Sequence, residues 1–354
     1  MISLVTFLAM VAASAPAPAG SDPARELSNR QLAGQRIVTG FPGERPPGVL
    51  VRMIREGRVA GVVLFASNFG TEAEARDLIG RLRRIRQPRG LRQPLLVAVD
   101  QEGGLVKRLP GPPTKSAAEI GAAGRSAAAR QGKETGRYLD RLGFNVDLAP
   151  VLDLAVPGGE IADTARGFAP TPDGVIGTGL AFARGLERGG VAATAKHFPG
   201  FGRARANTDD ASQTIPTARK RLRSRDERPF RAFADEKGAL VMLANAVYPA
   251  LDERRPAGLS RRIASHELRR VAGFNGVSIT DSLDAAAITQ LGSPATVAEL
   301  AAGAGTDLLL FTDLASAAEG AEALARDLRA GRLDRRRFRT SVGRVIDLRG
   351  SLRG

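Results

Sequence analysis

Cysteine is absent from the chain, which excludes disulfide frameworks, thiolate metal sites, a thiol nucleophile and a lipid-bearing cysteine. Histidine is almost absent. His197 and His266 are the only two, too few for a multi-histidine metal centre. Any catalysis is therefore expected to fall to oxygen-bearing side chains. No apolar run reaches the roughly 20 residues that a helical membrane span needs. No Pro- or Ser-rich linker and no long charge run interrupts residues 30–350. Over 354 residues, 43% are hydrophobic and 25% charged, the balance of a globular chain with a sizeable core. One domain over residues 30–352 is expected, with a monomer as the expected state.

The apolar stretch Ile2–Ala13 is followed by small residues that offer A-x-A steps at Ala15–Ala17 and Ala17–Ala19. Residues 1–20 thus read as an export segment, although no Lys or Arg precedes the run. Localisation in the cell envelope or outside the cell follows, with a cytoplasmic protein as the alternative. The net charge is +15, which attracts polyanions in principle. The arginines, however, are scattered (Arg83, Arg84, Arg86 and Arg89, then Arg335, Arg336 and Arg337), without interleaved aromatics or a nucleic-acid motif. The expectation is charge on solvated helix faces and no nucleic-acid partner.

Eight short runs of β-type residues recur along the chain: Gln35–Phe41, Gly61–Ala66, Leu95–Asp100, Phe144–Pro150, Ala192–Phe198, Ala239–Asn245, Gly276–Asp281 and Thr306–Thr312. They are continuously apolar rather than alternating, the mark of strands covered on both faces. Amphipathic helices are expected between them, among others at Glu72–Arg86, Ser126–Leu142, Asp173–Arg188 and Ala317–Arg329. Eight strand–helix units of about 40 residues predict a (β/α)8 TIM-like barrel, with a doubly wound sheet as the competing arrangement.

Asp100, Lys196, His197, Asn245 and Asp281 all fall at or just past the C-terminal end of a predicted strand. In a barrel those ends converge on one face, where active sites lie. Asp100-Gln-Glu-Gly-Gly-Leu-Val-Lys-Arg108 sets a carboxylate at a strand end, then a tight turn, then Arg108. An Asp can accept two hydrogen bonds from sugar hydroxyls, and an Arg can donate a fork of them. Lys196-His-Phe-Pro-Gly-Phe-Gly202 places a cation and an imidazole at another strand end. In Thr280-Asp-Ser-Leu-Asp284, Asp281 stands at the strand tip as a candidate nucleophile, and Asp284 reads as a helix N-terminal residue.

In order and spacing, Asp100–Arg108, Lys196–Gly202 and Gly276–Leu283 resemble glycoside hydrolase family 3. The nearest likeness is to its bacterial single-domain β-N-acetylhexosaminidases. Phe144–Asp153 (FNVDLAPVLD), Arg166-Gly-Phe168 and Val247–Asp252 extend the resemblance over nearly the whole chain. It implies that Asp281 is the nucleophile of a retaining exo-glycosidase, and that Asp100, Arg108, Arg166, Lys196 and His197 hold the sugar. The substrate implied is terminal β-linked N-acetylglucosamine in small oligosaccharides or muropeptides from peptidoglycan or chitin, and no metal or organic cofactor is implied.

Two positions depart from the family pattern. Phe201 stands where the family's Lys-His-Phe-Pro-Gly-His-Gly motif has its second histidine. The family's Asp-x-His acid/base pair is also not intact, because the loop reads Asn207-Thr-Asp-Asp-Ala-Ser-Gln213. Some members take the acid from a second domain, and too few residues follow the eighth strand to supply one. Asp209 is then the expected acid/base, with Asp210 as the alternative. A weakened glycan-binding homologue, and a barrel of β-glucosidase-like or phosphorylase specificity, are the competing readings.

Overall fold

The structure is a computed structural model and describes residues 23–352. The proposed export segment, residues 1–20, lies outside the described residues. Eight parallel strands form the centre: β1 (Ile37–Thr39), β2 (Gly61–Val63), β3 (Leu96–Val99), β4 (Val146–Asp147), β5 (Ala192–Phe198), β6 (Leu240–Leu243), β7 (Val277–Thr280) and β8 (Leu309–Phe311). They pair in chain order from β1 to β7, and β8 pairs with β1. The last joint, between β7 and β8, is a single bridge from Ile279 to Leu308. There the Thr280 N–H donates to the Leu308 carbonyl (2.9 Å) and the Leu308 N–H to that of Ser278 (2.8 Å). The result is the expected (β/α)8 barrel rather than an open sheet.

Strand alternation sorts the side chains. Val38, Val63, Leu96, Ala98, Leu240, Met242, Val277, Ile279 and Leu310 pack into one interior cluster. Their neighbours Ile37, Val62, Val97, Val99, Val241 and Leu243 belong to the layers between strands and helices. Both faces are apolar, which is why the runs show no alternation in sequence. Val345, on the last helix (Arg335–Ser351), joins the interior cluster and closes the N-terminal end of the barrel.

The helices start where local chemistry dictates. Thr71 accepts from the Glu74 N–H to open Glu72–Arg83, and Thr171 precedes Pro172 at the start of Pro172–Arg188. The first of these ends three residues before its expected limit at Arg86. Arg125–Leu142 and Pro172–Arg188 cross closely at Gly132, where a Cβ would lie 2.1 Å from the Phe182 carbonyl oxygen. Only glycine fits that contact.

Glu227, at the start of the helix Arg228–Asp235, is fully buried with no hydrogen-bond partner on either carboxylate oxygen. Burial, reinforced by the charge of Glu267, pushes its carboxyl up to about 8 from the ordinary 4.5. Between those values the folded chain keeps a proton that the unfolded chain releases, so stability falls as pH rises through the window. Denaturant unfolding of the native chain should lose stability from about pH 5 to about pH 8. Glu227→Gln should flatten that dependence, and an unchanged slope in the variant would contradict the assignment.

Candidate active site

The inward-facing register carries on past the strand ends. Asp100 follows Leu96 and Ala98, Asp281 follows Val277 and Ile279, Thr312 follows Leu308 and Leu310, and Lys196 lies four residues after inward-facing Ala192. These side chains therefore emerge at the C-terminal mouth, around a cavity of about 160 Å³. His197 would point outward under strict alternation. Between Ala195 and Phe198, β5 shifts register against β6, and this bulge turns His197 into the mouth beside Lys196. Asp100, Arg108, Arg166, Lys196, His197, Asp209 and Asp281 all line the one cavity.

A buried ion cluster forms its floor. Lys196 Nζ lies 2.8 Å from Asp100 Oδ1 and 2.7 Å from Glu102 Oε1. Arg166 grips Glu102 with two parallel bonds of 2.8 Å and reaches Glu160 at 3.4 Å. Arg108 approaches the other Asp100 oxygen at 3.8 Å. Burial alone would raise the Glu102 carboxyl, but Arg166 and Lys196 override it and hold the group far below the carboxylate range. Burial likewise opposes charge on Lys196, and Asp100 and Glu102 reverse that effect and raise its pKa. Behind the cluster Asp147 is raised well above its ordinary value, chiefly by burial.

His197 is fixed from behind. Its Nδ1 lies 2.7 Å from Asp153 Oδ2, which also accepts its backbone N–H at 3.0 Å. A carboxylate only accepts, so Nδ1 carries the hydrogen and Nε2 is left for the cavity. Asp153 Oδ1 accepts the Phe201 N–H (2.6 Å), and the Phe201 ring tilts against the imidazole at 5.6 Å. The phenyl that replaces the family's second histidine thus packs on the first one.

The Asp209 loop is docked on the segment that follows Asp281. The Ala286 N–H donates to the Asp209 carbonyl and the Ala287 N–H to that of Thr208, each at 3.2 Å. Asn207 Oδ1 accepts the Asp209 N–H (3.1 Å), and Asn207 Nδ2 lies 3.3 Å from Asp209 Oδ2. The residue is exposed at the rim, yet its carboxyl is set far enough into the mouth that desolvation, and then the charge of Asp281, raise its pKa. Asp210 is exposed and lies outside the cavity lining. Asp281 Oδ1 accepts the Ser282 N–H at 2.8 Å.

Two expectations change, and two residues join the site. Asp284 is not at a helix N-terminus: its Oδ2 accepts the N–H groups of Thr312 (2.6 Å) and Asp313 (3.1 Å), tying β7 to the end of β8. Asn245 supports the site from outside the cavity, donating to the Ser282 carbonyl at 2.6 Å. Glu102 and Asp153, not singled out from sequence, carry the strongest contacts. Glu102 had a signal: it lies two residues from Asp100 in the extended segment Gln101–Gly103, so both face the same way. His266 is exposed on Arg262–Val271, away from the site.

Asp209 and Asp281 line one pocket together with charged side chains, and a pair of carboxylates at one pocket is what glycoside hydrolysis uses. Residues 30–348 match the family described as glycosyl hydrolase family 3 N-terminal domain. An uncharacterised secreted glycosyl hydrolase of Arthroderma benhamiae is 35% identical, with 99% of each chain covered. A β-hexosaminidase of Pseudomonas aeruginosa is 34% identical over 78% of this chain and 82% of its own. Among solved structures, the family 3 β-N-acetylglucosaminidase of a Paenibacillus species superposes with a TM-score of 0.86 at 33% identity. That match covers 91% of this chain and 62% of the other. The β-N-acetylhexosaminidase of Beutenbergia cavernae gives 0.84 at 33% identity, over 92% and 99%. The chain is a glycosidase, and it belongs to glycosyl hydrolase family 3.

Removing Glu102 would leave two buried cations facing each other. Glu102→Ala should cost about 3–5 kcal/mol of stability, whereas Arg108→Ala, at the half-open edge, should cost no more than about 1 kcal/mol. Equal losses in denaturant unfolding would contradict the ranking.

Proposed function

We propose that the chain is a retaining exo-β-N-acetylhexosaminidase that releases terminal β-linked N-acetylglucosamine from peptidoglycan or chitin-type fragments. The observation that carries this reading is the pairing of Asp281 with Asp209, whose carboxyl is biased toward the protonated form, at one sugar-sized cavity. The hexosaminidase names of the relatives supply the choice of sugar. Asp100, Arg108, Arg166, Lys196 and His197 are assigned to the hydroxyls of the bound ring, and the small cavity of about 160 Å³ suits one terminal ring. Export to the envelope belongs to the same reading, supported by the secreted relative.

In the first half-reaction an Asp281 oxygen bonds to the anomeric carbon as the bond to the leaving oxygen breaks. The Asp209 proton passes to that oxygen, and the fragment departs as an alcohol. In the second half-reaction Asp209, now a carboxylate, takes a proton from water, and the resulting hydroxide equivalent attacks the anomeric carbon. The Asp281 carboxylate is released and the configuration is retained. Because the acid must hold its proton, activity falls as pH rises through the elevated Asp209 value.

A second reading, a weakened glycan-binding homologue, is favoured by one feature. Among the described residues Asp209 has no imidazole partner, and the cavity's own histidine is engaged by Asp153. Turnover separates the two: calorimetric sugar binding without product over days supports the second reading, and measurable turnover removes it.

With aryl N-acetylglucosaminides, Asp281→Ala should lose turnover on every leaving group. Asp209→Ala should lose about 10²–10⁴-fold on poor leaving groups, little on good ones, and the alkaline limb of its pH profile. Wild-type rates in Asp281→Ala would sink the assignment. Phosphate dependence of the rate would instead reveal a phosphorylase, and preference for an aryl glucoside a β-glucosidase.

A further inference from the structure

The catalytic cavity is not the largest on the molecule. A cleft of about 1300 Å³ opens on the barrel wall between Arg262–Val271 and the last helix, and shares no lining residue with the site. It reaches Arg36, Asn275 and Gly305, which precede β1, β7 and β8 at the strand ends remote from the mouth. Its lining holds ten arginines against three carboxylates. The fold gathers these ten from separate stretches of the sequence, Arg337 among them.

The arginines form two layers. The inner pair, Arg269 and Arg344, is neutralised by buried Asp307, and the buried Nε of Arg269 has no hydrogen-bond partner. The outer four are exposed: Arg255, Arg261, Arg262 and Arg270. Among the described residues none of them has a carboxylate within ion-pair distance. Like charges crowded into a concave wall reinforce one another's field, and a low-dielectric surround focuses it on whatever enters. Free guanidinium forks suit carboxylate or phosphate oxygens.

We propose that this cleft binds an anionic glycan chain, one bearing carboxylate or phosphate on successive units, and so docks the enzyme at a distance from its mouth. The lining favours sugars over nucleic acid. Its one phenyl ring, Phe338, is buried beneath Arg36, and the exposed imidazole of His266 is the only other ring in the lining, so successive bases have no row of platforms on which to stack. Between the arginines lie Ser265, Asn275 and Thr340, groups that exchange hydrogen bonds with sugar hydroxyls.

The test is binding of oligogalacturonate and of poly(N-acetylmannosamine phosphate), the carboxylate and phosphate arms, followed by fluorescence anisotropy and compared with oligothymidylate of equal charge. One variant carries Arg255→Ser, Arg261→Ser, Arg262→Ser and Arg270→Ser together. A second, of the same net charge, carries Ser at the exposed Arg125, Arg130, Arg137 and Arg141 of the helix Arg125–Leu142. Binding of at least one acidic arm is expected, weakened about tenfold or more in the cleft variant and nearly unchanged in the second. Hydrolysis of an aryl N-acetylglucosaminide by the cleft variant should match the native rate, and the binding result stands whatever the outcome of the catalytic assignment. No binding in either arm, equal weakening in both variants, or oligothymidylate bound as tightly would overturn the proposal.

Discussion

Glu102 carries its charge at the floor of the mouth, shielded from bulk solvent, with Lys196 on one oxygen and Arg166 gripping both. Burying three charges is tolerable only when each is paired. That constraint joins three separate parts of the barrel: the turn after β3, the end of β5 and the loop after β4. It also sets Asp100, because the Lys196 ammonium that satisfies Glu102 simultaneously holds an Asp100 oxygen. This charged wall of the mouth is thus held in place by its own ion pairs.

The architecture was legible because parallel strands buried on both faces leave an unambiguous apolar run, and all eight runs contain a strand. The mouth was legible for a related reason. Asp100 and Asp281 obey the two-residue alternation of β3 and β7, so a polar residue that ends such a run is presented to the cavity. His197 is different. Its inward orientation depends on a bulge in β5 for which single-sequence periodicity has no signal. Asp153 was hidden in a run read as strand and loop, since its role is to hold His197 and Phe201 from behind. The docking of the Asp209 loop through the amides of Ala286 and Ala287 is written in backbone geometry rather than in residue type. The basic cleft was invisible for a similar reason: its arginines come from several segments far apart in sequence and converge only when the barrel closes.

Phe201 and Asp209 mark two separate departures from the family pattern, one at the second histidine of the Lys-His-Phe-Pro-Gly-His-Gly motif and one at the Asp-x-His pair. The phenyl ring keeps His197 packed and upright, a steric duty that a histidine would also perform. It offers no donor of its own. Asp209 relies instead on desolvation and on the neighbouring negative charge of Asp281, both of which favour its protonated form. Its loop is tied by backbone hydrogen bonds to the segment after Asp281, which fixes where that carboxyl stands at the rim.

Whether Asp281 becomes covalently joined to the sugar tests the account most directly. Incubation with a fluorinated N-acetylglucosaminyl fluoride that glycosylates readily but deglycosylates slowly, followed by proteolysis and mass spectrometry, should find one glycosyl adduct, on the peptide carrying Asp281. The adduct should be absent from Asp281→Asn. Turnover of this reagent with release of the α-anomer, or an adduct on any other carboxylate, would contradict it.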